Sequence, residues 1–116
     1  MKVRRIVSNT ETSDPSKAVA FYQEILGLDL IMDYGWFQTY GSDEKMTVQL
    51  SFGSEGGSDT PVPDLSIEVD DLEAALTRIE EENIPIEYGP ASEAWGVRRF
   101  YVRDPFGKLI NILQHE

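Results

Sequence analysis

The chain contains no cysteine and a single histidine, His115. The lack of cysteine excludes disulfides, thiolate zinc sites, iron–sulfur clusters and a cysteine nucleophile. With one histidine near the end of the chain, no serine has a plausible histidine base beside it, and His115 is expected to be solvated. No GxSxG elbow and no phosphate-binding P-loop occur either. Hydrolytic triads and nucleotide-phosphate chemistry therefore find no support in the sequence.

Long apolar runs are also missing. No segment approaches the roughly 20 residues of a membrane-spanning helix. No apolar stretch of useful length follows the basic residues near the N-terminus. Basic residues are scarce: 10 Lys and Arg face 21 Asp and Glu, which gives a net charge of -11. An acidic surface repels phosphate backbones. We expect a cytoplasmic protein with no nucleic-acid and no membrane partner, whose acidity favours solubility and permits cationic ligands.

The first half of the chain predicts one helix among strands. Asp14 is a typical helix N-cap with Pro15 at the first helical position, and Gly27 is suited to the left-handed residue that ends a helix. Apolar residues between them follow helical spacing and predict a buried stripe: Ala18, Phe21, Tyr22 and Ile25. Strands are predicted on both sides of this helix, at residues 3–10, 28–32, 36–40 and 46–52.

The second half repeats this order. A connector rich in Gly, Ser and Pro spans residues 53–63. Asp70 with Glu73 resembles a capping box, and Asn83 can take the left-handed position at the helix end. The apolar stripe of this helix is again helical in spacing: Leu72, Ala75, Leu76 and Ile79. Strands are predicted at residues 65–69, 84–88, 97–103 and 109–113. At 116 residues, we expect one α+β domain with a βαβββ module at 1–52 and another at 64–116.

Alternation along the strands separates two faces. Because each half has one helix, the apolar faces are expected to meet the helix stripes and the other faces to form a curved inner surface. Its polar members are Asn9, Gln49, Ser51, Asp64, Ser66, Glu68, Arg99, Tyr101 and Asn111. Apolar Val7, Leu109 and Leu113 share that surface, a mixture that suits a small-molecule pocket. For any one residue, the solvated side of an antiparallel sheet is the alternative.

Three segments carry a family resemblance: FYQEILGLDL (residues 21–30), VDDLEAAL (69–76) and VRDPFGKLINIL (102–113). Together they resemble the vicinal oxygen chelate superfamily, which includes glyoxalase I, extradiol dioxygenases, fosfomycin-resistance transferases and bleomycin-resistance proteins. The resemblance implies two βαβββ modules that form an open, cup-shaped mixed sheet with the helices on its outer face. It also implies a homodimer, in which the partner chain often completes the cup.

Metal-dependent relatives would place ligands at positions that correspond here to Val7, Gln49 or Ser51, Asp64 and Asn111. Val7 has no donor atom, Asn111 is neutral, and Asp64 is the one charged oxygen ligand of the set. Zinc prefers histidine nitrogen and anionic ligands, and magnesium or manganese usually needs carboxylates. We therefore expect no metal and no other cofactor.

The leading hypothesis is a metal-independent small-molecule binding protein of the glyoxalase/bleomycin-resistance type. The residues expected to bind the ligand are Asn9, Trp36, Gln49, Ser66, Trp95, Arg99, Tyr101 and Asn111. Two alternatives stay open: a metal-dependent lyase, isomerase or dioxygenase of the same superfamily, and a dimeric interaction module without a ligand. No catalytic residue is assigned. The sequence also leaves open the ligand, whether the modules pair within or between chains, and which of Arg98 and Arg99 faces the cup.

Overall fold

The computed structural model describes residues 1–116. In the first half, the Asp14 carboxylate accepts the Ser16 N–H (3.2 Å) and begins a 3₁₀ turn over Pro15–Lys17, which continues as a π-helical segment over Val19–Ile25. Gly27, with φ of +74°, follows the end of this helical segment. The predicted cap and stripe are confirmed, since Phe21 and Ile25 are buried. The backbone, however, is 3₁₀ and π rather than α-helical.

Only two of the four strands predicted in the first half are present. β1 (Asp29–Asp33) and β2 (Gln38–Gly41) form an antiparallel hairpin. Residues 3–10 and 46–52 form no strand, and most of their side chains are exposed. The prediction was wrong for these two segments because alternation identifies the two faces of a strand but supplies no neighbour for its backbone N–H and C=O groups. No strand of this chain pairs with either segment.

The second half contains the complete predicted order. β3 (Leu65–Glu68), α1 (Leu72–Glu81), β4 (Ile86–Ser92), β5 (Val97–Arg103) and β6 (Leu109–His115) follow one another along the chain. The sheet order is β3-β6-β5-β4, with β3 parallel to β6 and the other pairs antiparallel. The α+β class and the mixed sheet are thus confirmed. None of the helical segments is long and apolar enough to cross a lipid bilayer.

One detail of α1 differs from the prediction. Asp71, and not Asp70, caps the helix: its Oδ1 atom accepts the Ala74 N–H at 3.0 Å. The helix begins at Leu72, one residue later than the predicted cap requires. The carboxylate that lies three residues before the donating Ala74 N–H is therefore that of Asp71. Asn83 has φ of +55°, as predicted for the residue that ends this helix.

Both helical segments cover the same face of the four-stranded sheet. The buried cluster between them and the sheet comprises Phe21, Ile25, Leu72, Ala75, Ile79, Phe100, Val102, Ile110 and Ile112. The predicted assignment of apolar residues to the helix side is therefore confirmed for β5 and β6. The first helical segment packs on the second half of the chain, and the opposite face of the sheet has no helix above it.

The turn between β5 and β6 is fixed by a buried carboxylate. The Oδ1 atom of Asp104 accepts the N–H groups of Phe106 (2.9 Å) and Lys108 (2.8 Å), and its Oδ2 atom accepts the Tyr22 hydroxyl (2.6 Å). Burial, followed by the hydrogen bond and the charge of Asp104, raises the pKa of Tyr22 above its usual range. This contact ties the first helical segment to the last hairpin.

Tyr22→Phe is expected to lower the free energy of unfolding by about 1–2 kcal/mol at pH 7, because the bond to an ionised carboxylate is lost. A tyrosine with a raised folded-state pKa stabilises the fold below its unfolded value near 10 and loses that contribution as pH rises further. The free energy of unfolding of the variant should therefore fall less at alkaline pH than that of the parent protein. Urea unfolding at pH 7 and at alkaline pH measures both. Tyr40→Phe is the control. The Tyr40 hydroxyl donates to Gln38 on the same hairpin (3.0 Å), and its loss should change the free energy of unfolding less.

Candidate functional site

The helix-free face of the sheet carries one aligned polar side chain from each strand. Backbone register places Ser66 beside Asn111, Asn111 beside Tyr101, and Tyr101 beside Tyr88. The Asn111 amide Nδ2 donates to Ser66 Oγ at 3.1 Å, and the two tyrosine rings meet edge to face with centroids 5.5 Å apart. These four residues are called the polar row below.

Asn111 has an unusual environment. The residue is 7% exposed, and its Oδ1 atom has no hydrogen-bond partner. If the amide is rotated, the nitrogen is left without an acceptor instead, so one polar atom stays unpaired in either assignment. A buried polar atom without a partner costs about 1–3 kcal/mol. The polar row therefore holds an unused hydrogen-bonding group at its centre.

Next to the polar row on β5 lies Arg99, which is 3% exposed. Its Nε atom donates to Glu93 Oε1 (3.2 Å), Nη1 to Tyr101 Oη (2.9 Å) and Nη2 to the Gly57 carbonyl (3.3 Å). Three aromatic rings surround the guanidinium, with centroids 5.4, 5.1 and 5.0 Å from Cζ for Tyr88, Trp95 and Tyr101. Arg99 is thus held by an ion pair, two further hydrogen bonds and cation–π contacts at the same time.

Glu93 balances this charge. Its Oε2 atom accepts the Ser58 hydroxyl (2.6 Å), and its Oε1 atom accepts the Tyr88 hydroxyl as well as Arg99 Nε. The hydrogen bonds from Ser58, Tyr88 and Arg99, in that order of effect, hold the pKa of Glu93 below its usual range. Only 4% of the Arg99 side chain and 5% of the Glu93 side chain are exposed, so the pair is shielded and fully hydrogen-bonded.

The connector covers this end of the sheet. Thr60 is 6% exposed. Its Oγ1 atom lies 3.0 Å from Tyr101 Oη and donates to the Gly57 carbonyl at 2.6 Å. The Pro61 carbonyl accepts the Tyr101 hydroxyl at 3.3 Å. Connector and sheet thus meet through polar groups at Arg99 and Tyr101, while Asn111 lies one strand further along.

Five of the eight residues predicted to bind a ligand lie on or beside this one sheet face: Ser66, Trp95, Arg99, Tyr101 and Asn111. Asn9, Gln49 and Trp36 are in the first half, are exposed, and make no hydrogen bond or ring contact with the other five. Trp36 instead stacks on Tyr34 with ring centroids 6.0 Å apart. Arg98 pairs with Glu73 of α1 at 3.0 Å, so Arg99 is the arginine on the helix-free face.

Sequence reasoning missed four contributors to this face: Gly57, Thr60, Tyr88 and Glu93. The register of β4 shifts on both sides of Tyr88, so alternation counted along the sequence does not identify its face. The other three lie in loops, where no periodicity applies. One signal was available for the connector, because a run of small residues between modules allows the chain to approach a sheet closely.

The donor positions implied for metal-dependent relatives do not fit a chelated metal. Asp64 Oδ2 already accepts the Leu109 N–H at 2.8 Å, and the Asn111 amide nitrogen is bonded to Ser66. Val7 offers no donor. No three His, Asp or Glu side chains are grouped closely enough to hold a metal ion.

A concavity lies in the first half, between the N-terminal segment and the hairpin. Its volume is about 440 Å³, and it is lined by Arg5, Val7, Ile31, Met32, Phe37 and Thr39. Four of these six residues are apolar, and several of them are exposed. The surface has no buried polar group comparable with Asn111.

Comparison with known proteins gives a consistent result. Residues 10–112 match the family model for the Glyoxalase/Bleomycin resistance protein/Dioxygenase superfamily. TnmS3, an antibiotic binding protein from Streptomyces sp. CB03234, is 25% identical over 90% of this chain and 88% of its own, with a TM-score of 0.63. A superfamily member from Sphaerobacter thermophilus DSM 20745 is 21% identical over 90% of both chains, also with a TM-score of 0.63.

TioX from Micromonospora sp. ML1 is 21% identical, covers 97% of this chain and 96% of its own, and has a TM-score of 0.62. No curated protein matches the chain. The two structures at 21% identity bear on the fold alone.

Proposed function

Because the chain belongs to the Glyoxalase/Bleomycin resistance protein/Dioxygenase superfamily, we propose that it binds a small molecule against the polar row, without a chelated metal. The observation that carries this proposal is the buried Oδ1 atom of Asn111, which has no partner. A ligand that donates a hydrogen bond to this atom would remove the cost of its desolvation. The site would be provided by the second module, residues 64–116, together with the connector, residues 53–63.

The surroundings of Asn111 favour a planar aromatic ligand. Tyr88 and Tyr101 lie on the same face, and Trp95 is 54% exposed although its ring packs on Arg99. A tryptophan held by a cation–π contact keeps its orientation, and its remaining exposed surface is available for stacking. That TnmS3 is an antibiotic binding protein supports a small-molecule ligand in general.

Asn111→Leu is expected to weaken ligand binding by about tenfold to a hundredfold, as one buried hydrogen bond is lost. Binding is measured by fluorescence titration in a Trp36→Phe background, in which Trp95 is the one remaining tryptophan. The compounds are a panel of aromatic antibiotics that includes bleomycin. Gln23→Leu, which removes an exposed amide from the helix side, is the control and should leave binding unchanged.

Asn111→Leu should fold normally, because it removes an unpaired polar atom from a buried position. Equal binding by the parent and by the Asn111→Leu protein would contradict the role of the amide. Failure of the whole panel to bind the parent protein would count against small-molecule binding on this face.

We also infer that the protein forms a homodimer through its first half. The chain exposes 8342 Å², whereas a compact monomer of 13.1 kDa exposes about 6,400 Å². The difference, about 1,900 Å², exceeds the roughly 800 Å² that each partner contributes to a standard interface. Exposed apolar side chains are concentrated at residues 1–7, 30–37 and 46–52. A second copy could supply the strand neighbours that residues 3–10 and 46–52 lack.

A further inference from the structure

The connector contains an unusual turn. Three consecutive residues have positive φ: Gly57 (86°), Ser58 (53°) and Asp59 (59°). Such a conformation is unfavourable for serine and aspartate, and it persists only where surrounding contacts stabilise it. The turn is closed by two backbone hydrogen bonds, from Gly56 N to Thr60 O (2.8 Å) and from Thr60 N to Gly57 O (3.0 Å).

The stabilising contacts come from β5 and from the loop between β4 and β5. Ser58 bonds to Glu93, the Gly57 carbonyl to Arg99, and Thr60 and Pro61 to Tyr101. The fit is close, because a Cβ atom on Gly56 would lie 2.6 Å from the Tyr101 hydroxyl oxygen, and one on Gly57 would lie 2.8 Å from the Trp95 ring. The turn is therefore complementary to the sheet in one docked position.

Little else holds the connector down. Residues 53–55, 58, 59, 61 and 62 are exposed, and the segment forms no strand with the sheet. Segments with few buried apolar contacts open with lower free energy than the core elements beneath them. Release of the docked turn would also relieve the unfavourable φ angles of Ser58 and Asp59.

We propose that residues 56–61 form a strap that opens as a unit over the folded sheet. In the closed strap, the Gly57 and Pro61 carbonyl oxygens occupy the positions in which hydrogen-bond-accepting oxygens of a ligand would bind. Opening removes Gly57 O from Arg99 Nη2 and Pro61 O from Tyr101 Oη. The exposed surface then offers guanidinium and hydroxyl donors among aromatic rings. This combination fits a planar aromatic compound with a carbonyl, carboxylate or phenolate oxygen. The opening is independent of the proposed function, whereas the ligand class rests on it.

Phenylglyoxal tests the opening, since it modifies accessible arginine side chains and is itself a planar aromatic dicarbonyl. Ser58→Ala/Thr60→Val removes two strap hydroxyls and substitutes no residue of the sheet. Mass spectrometry should show Arg99 modified about tenfold or more faster in this variant than in the parent, with Arg98 unchanged as the internal standard. Ser54→Ala should behave like the parent, because Ser54 also lies in the connector but its hydroxyl makes no hydrogen bond.

Hydrogen exchange separates strap opening from global unfolding. In the parent protein, the amides of Gly56 and Thr60 should exchange faster than those of Val102 and Ile112 in the core strands. The strap is contradicted if its amides exchange only as slowly as the core, or if Arg99 reacts as fast as Arg98 in the parent. It is also contradicted if faster strap exchange in the double variant leaves Arg99 modification unchanged.

The ligand class is tested with benzoate and acetate as competitors. Benzoate should protect Arg99 of the double variant from phenylglyoxal more strongly than acetate at equal concentration, and equal protection would overturn the aromatic assignment. A static strap together with a ligand that depends on Asn111 would contradict the strap alone. An opening strap with no such ligand would contradict the proposed function alone.

Discussion

Arg99→Met is expected to lower the free energy of unfolding by about 3 kcal/mol, which corresponds to a fall in melting temperature of about 12 °C for a domain of this size. The substitution preserves most of the side-chain volume, so the loss reports on charge and hydrogen bonding. It leaves the buried Glu93 carboxylate without its cationic partner, and it removes the contacts with three aromatic rings. Urea unfolding monitored by circular dichroism measures the change.

The matched control for this prediction is Arg98→Met. Arg98 is the adjacent arginine and also makes an ion pair, but its side chain is 36% exposed and that of Glu73 is 67% exposed. Solvent screens such pairs, so the control should cost no more than about 0.5 kcal/mol. Equal losses for the two variants would show that the buried network contributes no special stability.

Arg99→Met should also change how the stability of the fold depends on acidic pH. A glutamate with a lowered folded-state pKa stabilises the fold above its ordinary value of 4.5, and that contribution is lost as pH falls through the lowered value. Ser58 and Tyr88 remain bonded to Glu93 in Arg99→Met, but the arginine no longer favours the carboxylate. The pKa of Glu93 should therefore rise towards its ordinary value, and the acid-dependent part of the stability of Arg99→Met should be smaller than in the parent protein.

Leu50→Asp/Phe52→Asp should convert a dimer into a monomer. Leu50 is 67% exposed and Phe52 is 91% exposed in the single chain, so burial of each in an interface would stabilise association by about 1.5–3 kcal/mol. Each substitution occurs twice in a two-fold interface, because both subunits contribute the same segment. The dimer dissociation constant should therefore rise by at least about 10⁴-fold. Light scattering coupled to size-exclusion chromatography measures the mass.

Thr47→Asp/Ser51→Asp is the control for charge. It adds the same two carboxylates at alternate positions of the segment, where the predicted strand has its polar face. The dimer should persist in this variant. A parent protein that elutes as a monomer would overturn the inference of a dimer, and dissociation by both variants would assign the effect to charge repulsion in an already acidic chain.

The sequence predicted the second half of the fold more accurately than the first. Helical spacing identified Phe21, Ile25, Leu72 and Ile79 as buried, since this signal depends only on local periodicity. The strands at residues 3–10 and 46–52 were not found, because a strand exists only where a neighbour pairs with it. Alternation contains no information on which chain supplies that neighbour.

The candidate site was predicted in part for similar reasons. Parity along β5 and β6 correctly grouped Arg99, Tyr101 and Asn111 on one face. Tyr88 was missed because β4 changes register twice, and Glu93 was missed because it lies in a loop. The bonds between these groups and the connector join residues more than 30 positions apart, and no local pattern encodes such contacts.

The packing of Phe21 and Ile25 on the second-half sheet has a consequence for biosynthesis. Their buried neighbours extend to Ile112, so the nascent chain cannot close its first helical segment until nearly all of the protein has been made. Translation proceeds from the N-terminus, and residues 46–52 leave the ribosome well before that point. This segment, MTVQLSF, has alternating apolar residues, no charge and no proline, the pattern typical of aggregation-prone strands. Leu50 and Phe52 are still exposed in the complete single chain, so this segment stays accessible after residue 112 has been made, until a second copy covers it in the proposed dimer.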